Sequence, residues 1–399
     1  MWHQSDEHIE ENIERYKRGM AVIDLDAIKH NLLQMKELLN EGMNMYAVIK
    51  TNGYGHGSIP IAKALESAPY IRGYAVATPE EAMELRGEGI KKEILILGYS
   101  FPYSYEELIE NDVRITVFRE DSLEELDKTA AKLGKNAIVH IALDTGMGRI
   151  GITPDEEGLQ FVKKAYGYKN ITVEGMFSHF ARADETDKSA ALKQLKLFKD
   201  FTSLLHEQGL DIPVKHISNS AAILELPESY FDAARAGITM YGLKPSEEVD
   251  VSKFGLKPAL SLYSTITYVK TLKKGRSVSY GGLFTADRDM KVATVPLGYG
   301  DGYPRLLTGK GEVIIKGRRC PILGRICMDQ FMVDVSGIEG IKAGEKVTLI
   351  GNDGNETISA EELGERSGRF NYELVCLIGA RIPRVYLLEG KPVLTLSRT

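Results

Sequence analysis

A rhythm of short apolar runs, separated by amphipathic or charged stretches, constrains the fold of this chain more than any other feature. Near-continuous apolar strands are what a parallel sheet buried on both faces requires. Because a (β/α)8 TIM barrel needs about 200 to 250 residues, the span of the runs predicts an α/β fold with such a barrel. A doubly wound open sheet is the alternative, although no GxGxxG follows the first strand to favour it. The runs are "YAVIK", "YAVAT", "EILILG", "RITVF", "AIVHIALD", "TVEGMFSH", "VKHISNS" and "AARAGITMYG".

The stretches between these runs carry helix signals. In "TPEEAMELRG", Thr78 is the predicted N-cap, Pro79 takes the first helical position and Glu81 completes a capping box. An earlier helix follows the short strand "AVID", and Asp26 is its predicted N-cap. The longest predicted helix covers residues 188–208, where apolar side chains recur at helical spacing.

The texture of the sequence changes near "LKPSEEVDVSKFGLKPALS", a polar linker with two prolines. After this linker, β-rich segments such as "KVATVPLGYG" and "EKVTLIGNDGNE" are separated by Gly, Asn and Asp turns at close intervals. We therefore predict three parts: a charged, helix-prone lead-in over residues 1–19, the barrel over residues 20–257, and a mostly β C-terminal domain over residues 258–399.

Composition excludes several classes of partner. The formal net charge of -6 offers no basic stripe for nucleic acid or an anionic membrane. Three cysteines without CxxC spacing argue against a disulfide framework or a structural zinc site and suit a reducing compartment. No apolar run is long enough to span a bilayer, and the start of the chain is too polar for a signal peptide. We expect a cytoplasmic protein without metal that binds small molecules.

Lys50 ends the first apolar run, which is unusual for a buried strand. At the end of a barrel strand it would lie on the carboxyl-terminal face, where barrel enzymes carry their chemistry. Apolar surroundings would lower its pKa from about 10.4 and free the amine to bond to a carbonyl. Pyridoxal phosphate is the cofactor that most often uses such an amine. The alternative is a lysine that only reaches past the strand end to solvent.

A set of motifs in this chain together resembles one family. They are "AVIKTNGYGHG", "DTGMGRIG", "SHFARAD", "HISNSAA", "RAGITMYGL", "VSYGGLF", "LGYGDGYPR", "GRICMDQ" and "FNYELVC". They are similar to alanine racemase, a fold-type III pyridoxal phosphate enzyme with a barrel and a β-domain. The resemblance runs from about residue 20 to the C-terminus. It implies a head-to-tail homodimer with shared active sites.

The resemblance assigns roles to particular residues. Lys50 would carry the cofactor and act as one catalytic base, and Tyr280 of the partner subunit would act on the opposite face of the α-carbon. Arg235 would face the pyridine nitrogen, and since arginine stays charged, the ring would remain a weak electron sink. The implied cofactor-binding residues are Lys50, Tyr54, His179, Ser220, Arg235, Gly237, Ile238 and Tyr372.

Without the family motifs, simpler explanations would serve for several of these residues. Tyr280 could be a core residue of the β-domain, and His179 could be a satisfied core histidine. Arg235 could form a surface ion pair with Asp232. Ser220 would be taken for an ordinary loop residue.

For the substrate carboxylate, the resemblance implies Arg149 and the backbone N–H of the partner subunit's Met328. Many relatives have a lysine, modified to a carbamate, two residues before the aspartate of "DTGM", where this chain has Ala142. Without it, Arg149 needs another neighbour, such as a bound chloride ion. Cys327 has no histidine close by in the sequence, and we interpret it as structural.

The leading functional prediction is a racemase that interconverts L- and D-alanine and supplies D-alanine for peptidoglycan. A serine racemase of a glycopeptide-resistance system is the close alternative, and Tyr372 at the site entrance favours alanine modestly. A barrel protein that binds pyridoxal phosphate without strong activity would lack the β-domain motifs. An amino-acid decarboxylase of the same fold type would share the barrel lysine, and the two-base racemase motif argues against it.

Overall fold

The structure is a computed structural model and describes residues 2–4 and 15–398. Strand β1 (Trp2–Gln4) pairs with the last strand of the chain, and strand β2 (Met20–Asp24) lies within the long described segment. Most of the predicted helix-prone lead-in falls outside the described residues. Its character therefore stays a prediction.

Eight parallel strands form one sheet, and they coincide with the eight apolar runs of the sequence. They are β3 (Asn44–Val48), β4 (Ile71–Val76), β5 (Glu93–Ile96), β6 (Arg114–Val117), β7 (Ala137–Ala142), β8 (Ile171–Phe177), β9 (Val214–His216) and β10 (Ala233–Ala236). Strand β10 pairs with β3, with Ala236 opposite Ala47. Backbone hydrogen bonds of 3.0 Å bridge the seam between β9 and β10. The predicted barrel is confirmed, and the open sheet is excluded.

Helices alternate with the strands along the barrel segment, and each long one buries an apolar face. They are α1 (Leu25–Leu38), α2 (Ser58–Leu65), α3 (Pro79–Gly87), α4 (Tyr105–Glu110), α5 (Glu120–Leu133), α6 (Glu156–Gly167), α7 (Ser189–Glu207) and α8 (Ser220–Glu225). Helix α7 confirms the longest predicted helix, and its buried face includes Leu195, Phe198 and Phe201.

Helix α1 begins earlier than the sequence pattern suggested. Asp24, at the end of β2, is the N-cap, and its carboxylate accepts a hydrogen bond of 2.9 Å from Ala27 N. The prediction of Asp26 as the cap is wrong, because Asp26 already lies in the first turn. An acidic residue there still favours the positive end of the helix dipole.

The C-terminal part is mostly sheet. Its strands are β11 (Leu260–Thr265), β12 (Tyr268–Leu272), β13 (Ser277–Val278), β14 (Phe284–Thr285), β15 (Met290–Val295), β16 (Glu312–Ile315), β17 (Arg318–Leu323), β18 (Phe331–Asp334), β19 (Lys346–Asp353), β20 (Glu356–Ile358), β21 (Arg384–Leu388) and β22 (Lys391–Arg398). Two helices, α9 (Ala360–Ser367) and α10 (Asn371–Cys376), precede β21. Short 3₁₀ turns include Ile238–Tyr241, Tyr280–Gly282 and Tyr299–Asp301.

Strand β2 belongs to this C-terminal sheet. It pairs with β11 in an antiparallel ladder and with β21 in a parallel one. Its residues alternate between half-buried and buried, which suits a sheet with one covered face. The predicted barrel segment of residues 20–257 thus starts with a strand that pairs outside the barrel, and the chain begins and ends in the same sheet.

Polar side chains occupy the amino-terminal end of the barrel interior. Glu93 accepts hydrogen bonds from Tyr46 at 2.8 Å and from Arg72 at 2.7 Å. Arg114 Nε lies 3.0 Å from the carboxylate of Glu174. These four charged groups are half-buried, and each has a partner, which offsets the cost of removing its charge from water.

No helix within the described ranges is both long and apolar enough to cross a bilayer. The three cysteines, Cys320, Cys327 and Cys376, are free thiols.

Candidate active site

A cavity of about 620 Å³ opens at the carboxyl-terminal face of the barrel, a volume in the range of small-molecule sites. Helix α10 of the C-terminal domain borders it through Tyr372 and Cys376. Nine of the predicted site residues line this cavity: Lys50, Tyr54, Arg149, His179, Ser220, Arg235, Gly237, Ile238 and Tyr372.

Lys50 does not end strand β3, which stops at Val48. It begins a single turn, Lys50–Tyr54, whose next residues adopt left-handed backbone conformations: Thr51 at φ 53°, Asn52 at φ 50°, Gly53 at φ 60° and Tyr54 at φ 51°. A left-handed turn costs about 1–2 kcal/mol for each residue other than glycine. Strain of this kind persists only where the surrounding structure holds it.

Hydrogen bonds from two directions hold the left-handed turn. Asn52 Oδ1 accepts from Ser58 N at 3.0 Å, which ties the turn to helix α2. The carboxylate of Glu81 accepts from Thr51 N and, at 2.8 Å, from Ala77 N. The predicted capping box is therefore only half formed, because Glu81 serves the lysine turn while Thr78 Oγ1 still accepts from Glu81 N at 3.3 Å.

The surroundings of Lys50 favour a neutral amine. Burial lowers the pKa of its side chain, and the positive charge of Arg149 lowers it further. Glu81 acts in the opposite direction but does not outweigh the burial. A neutral lysine amine is nucleophilic and can bond to a carbonyl carbon.

Arg235 is the most deeply buried charge at the cavity, with 3% of its surface exposed. Its Nη2 donates to Ser178 O at 2.6 Å and Ile217 O at 3.0 Å, and its Nη1 donates to His216 O at 3.0 Å. Burial, followed by the charge of Arg149, lowers the pKa of Arg235 to about 9. The surface ion pair with Asp232 does not form.

His179 lies beside Arg235, with its Nδ1 3.2 Å from Arg235 Nη2. Burial lowers the pKa of His179 to about 3, and the charges of Arg235 and Arg149 add to this shift. The imidazole is therefore neutral at ordinary pH. Because a guanidinium can only donate, Nδ1 accepts and the proton lies on Nε2.

Hydroxyl groups and backbone N–H groups converge at the end of β10. Ser220 Oγ accepts from Gly237 N at 3.0 Å, and the phenols of Tyr54 and Tyr372 lie nearby with ring centroids 6.0 Å apart. A Cβ on Gly237 would lie 3.1 Å from Ser220 Oγ and 3.6 Å from the Tyr54 hydroxyl. Glycine at this position keeps the space between these donors open.

Arg149 is exposed, and the structure assigns it no ion-pair partner among the described residues. Asp144 fixes the loop that bears Arg149. Its Oδ1 accepts hydrogen bonds from Gly146 N at 2.9 Å and from Gly148 N at 3.0 Å. Ala142 is buried at the end of β7 and offers no polar group.

Tyr280 and Met328 do not line the cavity. They lie on the C-terminal domain, where Tyr280 is 70% exposed and Met328 53% exposed. Tyr280 is thus not a core residue. Its loop adjoins that of Met328, because Ser279 Oγ lies 3.3 Å from Cys327 Sγ.

Four residues at or beside the cavity were missing from the predicted set. Glu81 and Asp144 fix loops through their carboxylates, His216 contacts Arg235, and Cys376 lines the cavity. The aspartate of "DTGMG" could have been found, because aspartate before a glycine-rich turn often binds the backbone two residues on. A histidine inside an apolar strand gives no such signal.

Two family models match the chain: "Alanine racemase, N-terminal domain" over residues 23–245 and "Alanine racemase, C-terminal domain" over residues 259–386. The alanine racemase of Desulforamulus reducens is 46% identical over 92% of this chain and 98% of its own length. The solved structure of alanine racemase from Clostridium difficile superposes with a TM-score of 0.91 at 39% identity, over 95% of this chain and 98% of that one. Alanine racemase from Bacillus anthracis, solved "with bound L-Ala-P", superposes with a TM-score of 0.89 at 41% identity, over 96% of this chain and 98% of that one.

The fold and cavity define a barrel enzyme that places a desolvated lysine beside a buried arginine. The comparisons identify its kind: the chain belongs to the alanine racemase family, and the predicted family is confirmed.

We expect Lys50 to react as a neutral amine at lower pH than other lysines, because burial lowers its pKa. Trace labelling with acetic anhydride across a pH series, followed by peptide mass spectrometry, measures this for each lysine. Lys128 is the matched reference, since Glu125 raises its pKa. A Lys50 labelling midpoint at or above that of Lys128 would contradict the assigned environment.

Proposed function

We propose that this chain is a pyridoxal phosphate-dependent racemase that interconverts L- and D-alanine. The observation that carries the proposal is a single cavity that combines a desolvated lysine with a buried arginine whose two terminal nitrogens are hydrogen-bonded. The names of its relatives support alanine as the substrate.

The residues around the cavity fit pyridoxal phosphate. The hydroxyls of Tyr54 and Tyr372 form no hydrogen bond with other side chains or backbone in the described part of the chain, and both are available to a phosphate. Ser220 Oγ and the backbone N–H groups of Gly237 and Ile238 would complete a donor set that needs no full balancing charge. The N–H of Gly237, which donates to Ser220 Oγ in this structure, would turn to the phosphate. The open space next to Gly237 matches this use.

When bound, the cofactor supplies a carbonyl carbon to which an amine can bond and a ring that withdraws electrons from the α-carbon. Lys50 holds the cofactor and, as a free amine, takes or returns the α-proton. Arg235 would donate to the pyridine nitrogen and keep its own proton, which would limit the electron demand of the ring. His179 orients Arg235.

A racemase needs a second base on the opposite face of the α-carbon. We assign this role to the partner subunit's Tyr280, which an individual chain keeps away from its own cavity. Exposed large side chains, including Leu283, Tyr299 and Met328, lie on the same domain, and an exposed apolar surface of this kind favours association. The homodimer is therefore part of the proposal.

Arg149 and the backbone N–H of the partner subunit's Met328 would bind the substrate carboxylate. A guanidinium and a carboxylate match in two parallel hydrogen bonds. Because Ala142 gives Arg149 no charged neighbour, we propose that a bound anion such as chloride orients it.

The physiological part of the proposal is the supply of D-alanine for peptidoglycan, in the cytoplasm. We keep the division into residues 1–19, 20–257 and 258–399 as a proposal. Serine is the competing substrate, because an added hydroxyl is poorly rejected by a pocket that fits alanine. Binding of the cofactor without turnover is the competing function.

The decisive assay incubates the protein with pyridoxal phosphate and L-alanine or L-serine in deuterated water. Chiral chromatography follows the D-enantiomer, and mass spectrometry follows deuterium at the α-carbon. We expect D-alanine to form faster than D-serine. Loss of the amine in Lys50→Ala should lower the rate by at least about 10³-fold.

Faster formation of D-serine would contradict the alanine assignment. Cofactor binding without turnover of either substrate would contradict the racemase itself.

A subunit-mixing experiment tests the shared site. Lys50→Ala and Tyr280→Phe should each be nearly inactive, and redistribution of their subunits should restore about one quarter of the wild-type activity, because half the dimers then hold one intact site. The control mixes Lys50→Ala with the double variant and should stay inactive. If tagged copies show that subunits exchange and activity still does not return, Tyr280 does not act across the dimer.

Replacing chloride with an inert anion such as gluconate should raise the Michaelis constant for alanine, because Arg149 would lose the anion that orients it. The turnover number should change less, since Lys50 and Tyr280 are not affected. Ala142→Lys is the matched variant, and its Michaelis constant should respond less to chloride. Identical constants in both salts would contradict the anion.

A further inference from the structure

A line of polar side chains runs through the barrel interior beneath the cavity. Arg235 Nη1 lies 2.7 Å from His216 Nδ1, and His216 Nε2 lies 3.0 Å from His140 Nδ1. His140 Nε2 lies 3.0 Å from Glu174 Oε2, which also accepts from Arg114 Nε at 3.0 Å. The five side chains come from five different barrel strands. They connect the guanidinium at the cavity with a half-buried carboxylate at the amino-terminal end of the barrel.

Arg235 and Glu174, at the two ends of this line, determine which nitrogen of each histidine carries the proton. A guanidinium can only donate hydrogen bonds, so His216 Nδ1 must be an acceptor without a proton. Neutral His216 then carries its proton on Nε2 and donates it to His140 Nδ1. His140 carries its own proton on Nε2 and donates it to the carboxylate of Glu174, which can only accept. Both histidines are therefore Nε2–H tautomers, and each imidazole proton points away from Arg235.

Close packing restricts rotation of both imidazole rings. Both histidines are completely buried. The ring of His216 stacks on Phe177 at a centroid distance of 5.2 Å. A Cβ on Gly175 would lie 2.5 Å from His140 Cε1, so only glycine leaves room for the ring at this position. Burial also lowers the pKa of both imidazoles, which favours their neutral forms.

The carboxylate of Glu174 is held in the ionised state that the arrangement needs. Burial raises its pKa, but the hydrogen bonds from His140 and Arg114 outweigh this effect and bring the pKa to about 2. Arg114 contacts both carboxylate oxygens, with Nη2 3.1 Å from Oε1. Glu174 is thus an acceptor throughout the ordinary pH range.

We propose that Glu174 is a positioning residue for Arg235: through His140 and His216 it fixes which nitrogen faces the guanidinium and so holds that group toward the cavity. If His216 carried its proton on Nδ1, two donors would face each other at 2.7 Å, and Arg235 would have to move. The tautomer order stands on the geometry alone, whereas its effect on catalysis rests on the proposed function.

Two variants of Glu174 separate the hydrogen bond from general stability. Glu174→Met removes the acceptor at similar length. Glu174→Gln keeps one, because an amide oxygen at the Oε2 position accepts from both His140 and Arg114 Nε. The amide NH2 then faces one donor, Arg114 Nη2, whereas the reversed amide would face two. Glu362→Met is the matched control, since Glu362 is another partly buried carboxylate that binds both terminal nitrogens of an arginine, Arg319.

The first measurement is the tautomer state of ¹⁵N-labelled histidines by long-range ¹H–¹⁵N NMR on the deuterated protein without substrate. Signals are assigned with His140→Gln and His216→Gln. We expect Nε2–H tautomers for both residues in the wild type, Glu174→Gln and Glu362→Met, and a mixture in Glu174→Met. A protonated ring or an Nδ1–H tautomer in the wild type would overturn the proposal, as would an unchanged spectrum in Glu174→Met.

The second measurement is turnover of alanine, together with the absorption maximum of the bound cofactor. Residues that orient a metal ligand are worth about 10- to 100-fold. By analogy with their role, we expect kcat of Glu174→Met to fall by about tenfold with little change in KM. Glu174→Gln and Glu362→Met should stay within about twofold of wild type. Altered tautomers with unchanged kcat and absorption would overturn the positioning role. If the wild type has no racemase activity, the proposed function fails and the NMR result still decides the tautomer order.

Discussion

The parallel ladder between β10 and β3 is the contact on which the rest of this structure depends. It joins segments almost 190 residues apart and sets Arg235 opposite Tyr46. The turn that bears Lys50 consequently meets the loop of Gly237, and the hydroxyl of Tyr241 donates to Val48 O at 2.9 Å. Without this closure, the amine of Lys50 and the hydroxyl and N–H donors at the end of β10 would lie at opposite edges of an open sheet.

Three cationic side chains, Lys50, Arg149 and Arg235, face one cavity, and the charge of Arg149 makes the charged states of Lys50 and Arg235 less favourable. Lys50 responds by losing its proton readily, whereas Arg235 keeps its proton because carbonyl and imidazole acceptors surround it. Solvent screens the charge of Arg149, because its side chain is exposed. The cavity therefore favours anions, and a bound phosphate or carboxylate would reduce the repulsion between these cations.

Much of this architecture could be predicted from the sequence, because strands buried on both faces leave continuous apolar runs. The pairing of β2 could not be predicted, because its five alternating residues fit either the barrel or the C-terminal sheet. Lys50 was recognisable because a charge at the end of an apolar run is rare, but its left-handed turn was not. Glu174 and His216 carried no signal, as their partners come from strands far apart in sequence. Tyr280 and Met328 lie outside the cavity of their own chain, so their proposed roles depend on a partner subunit.

The left-handed turn after Lys50 also affects chemical degradation of the chain. Asn followed by Gly is a pair prone to deamidation, in which the glycine nitrogen attacks the asparagine side chain. Here Gly53 N donates to Ile49 O at 2.7 Å, while Asn52 Oδ1 accepts from Ser58 N, so both reacting groups are engaged. Chemical damage at this bond therefore becomes possible only in molecules whose turn has already opened.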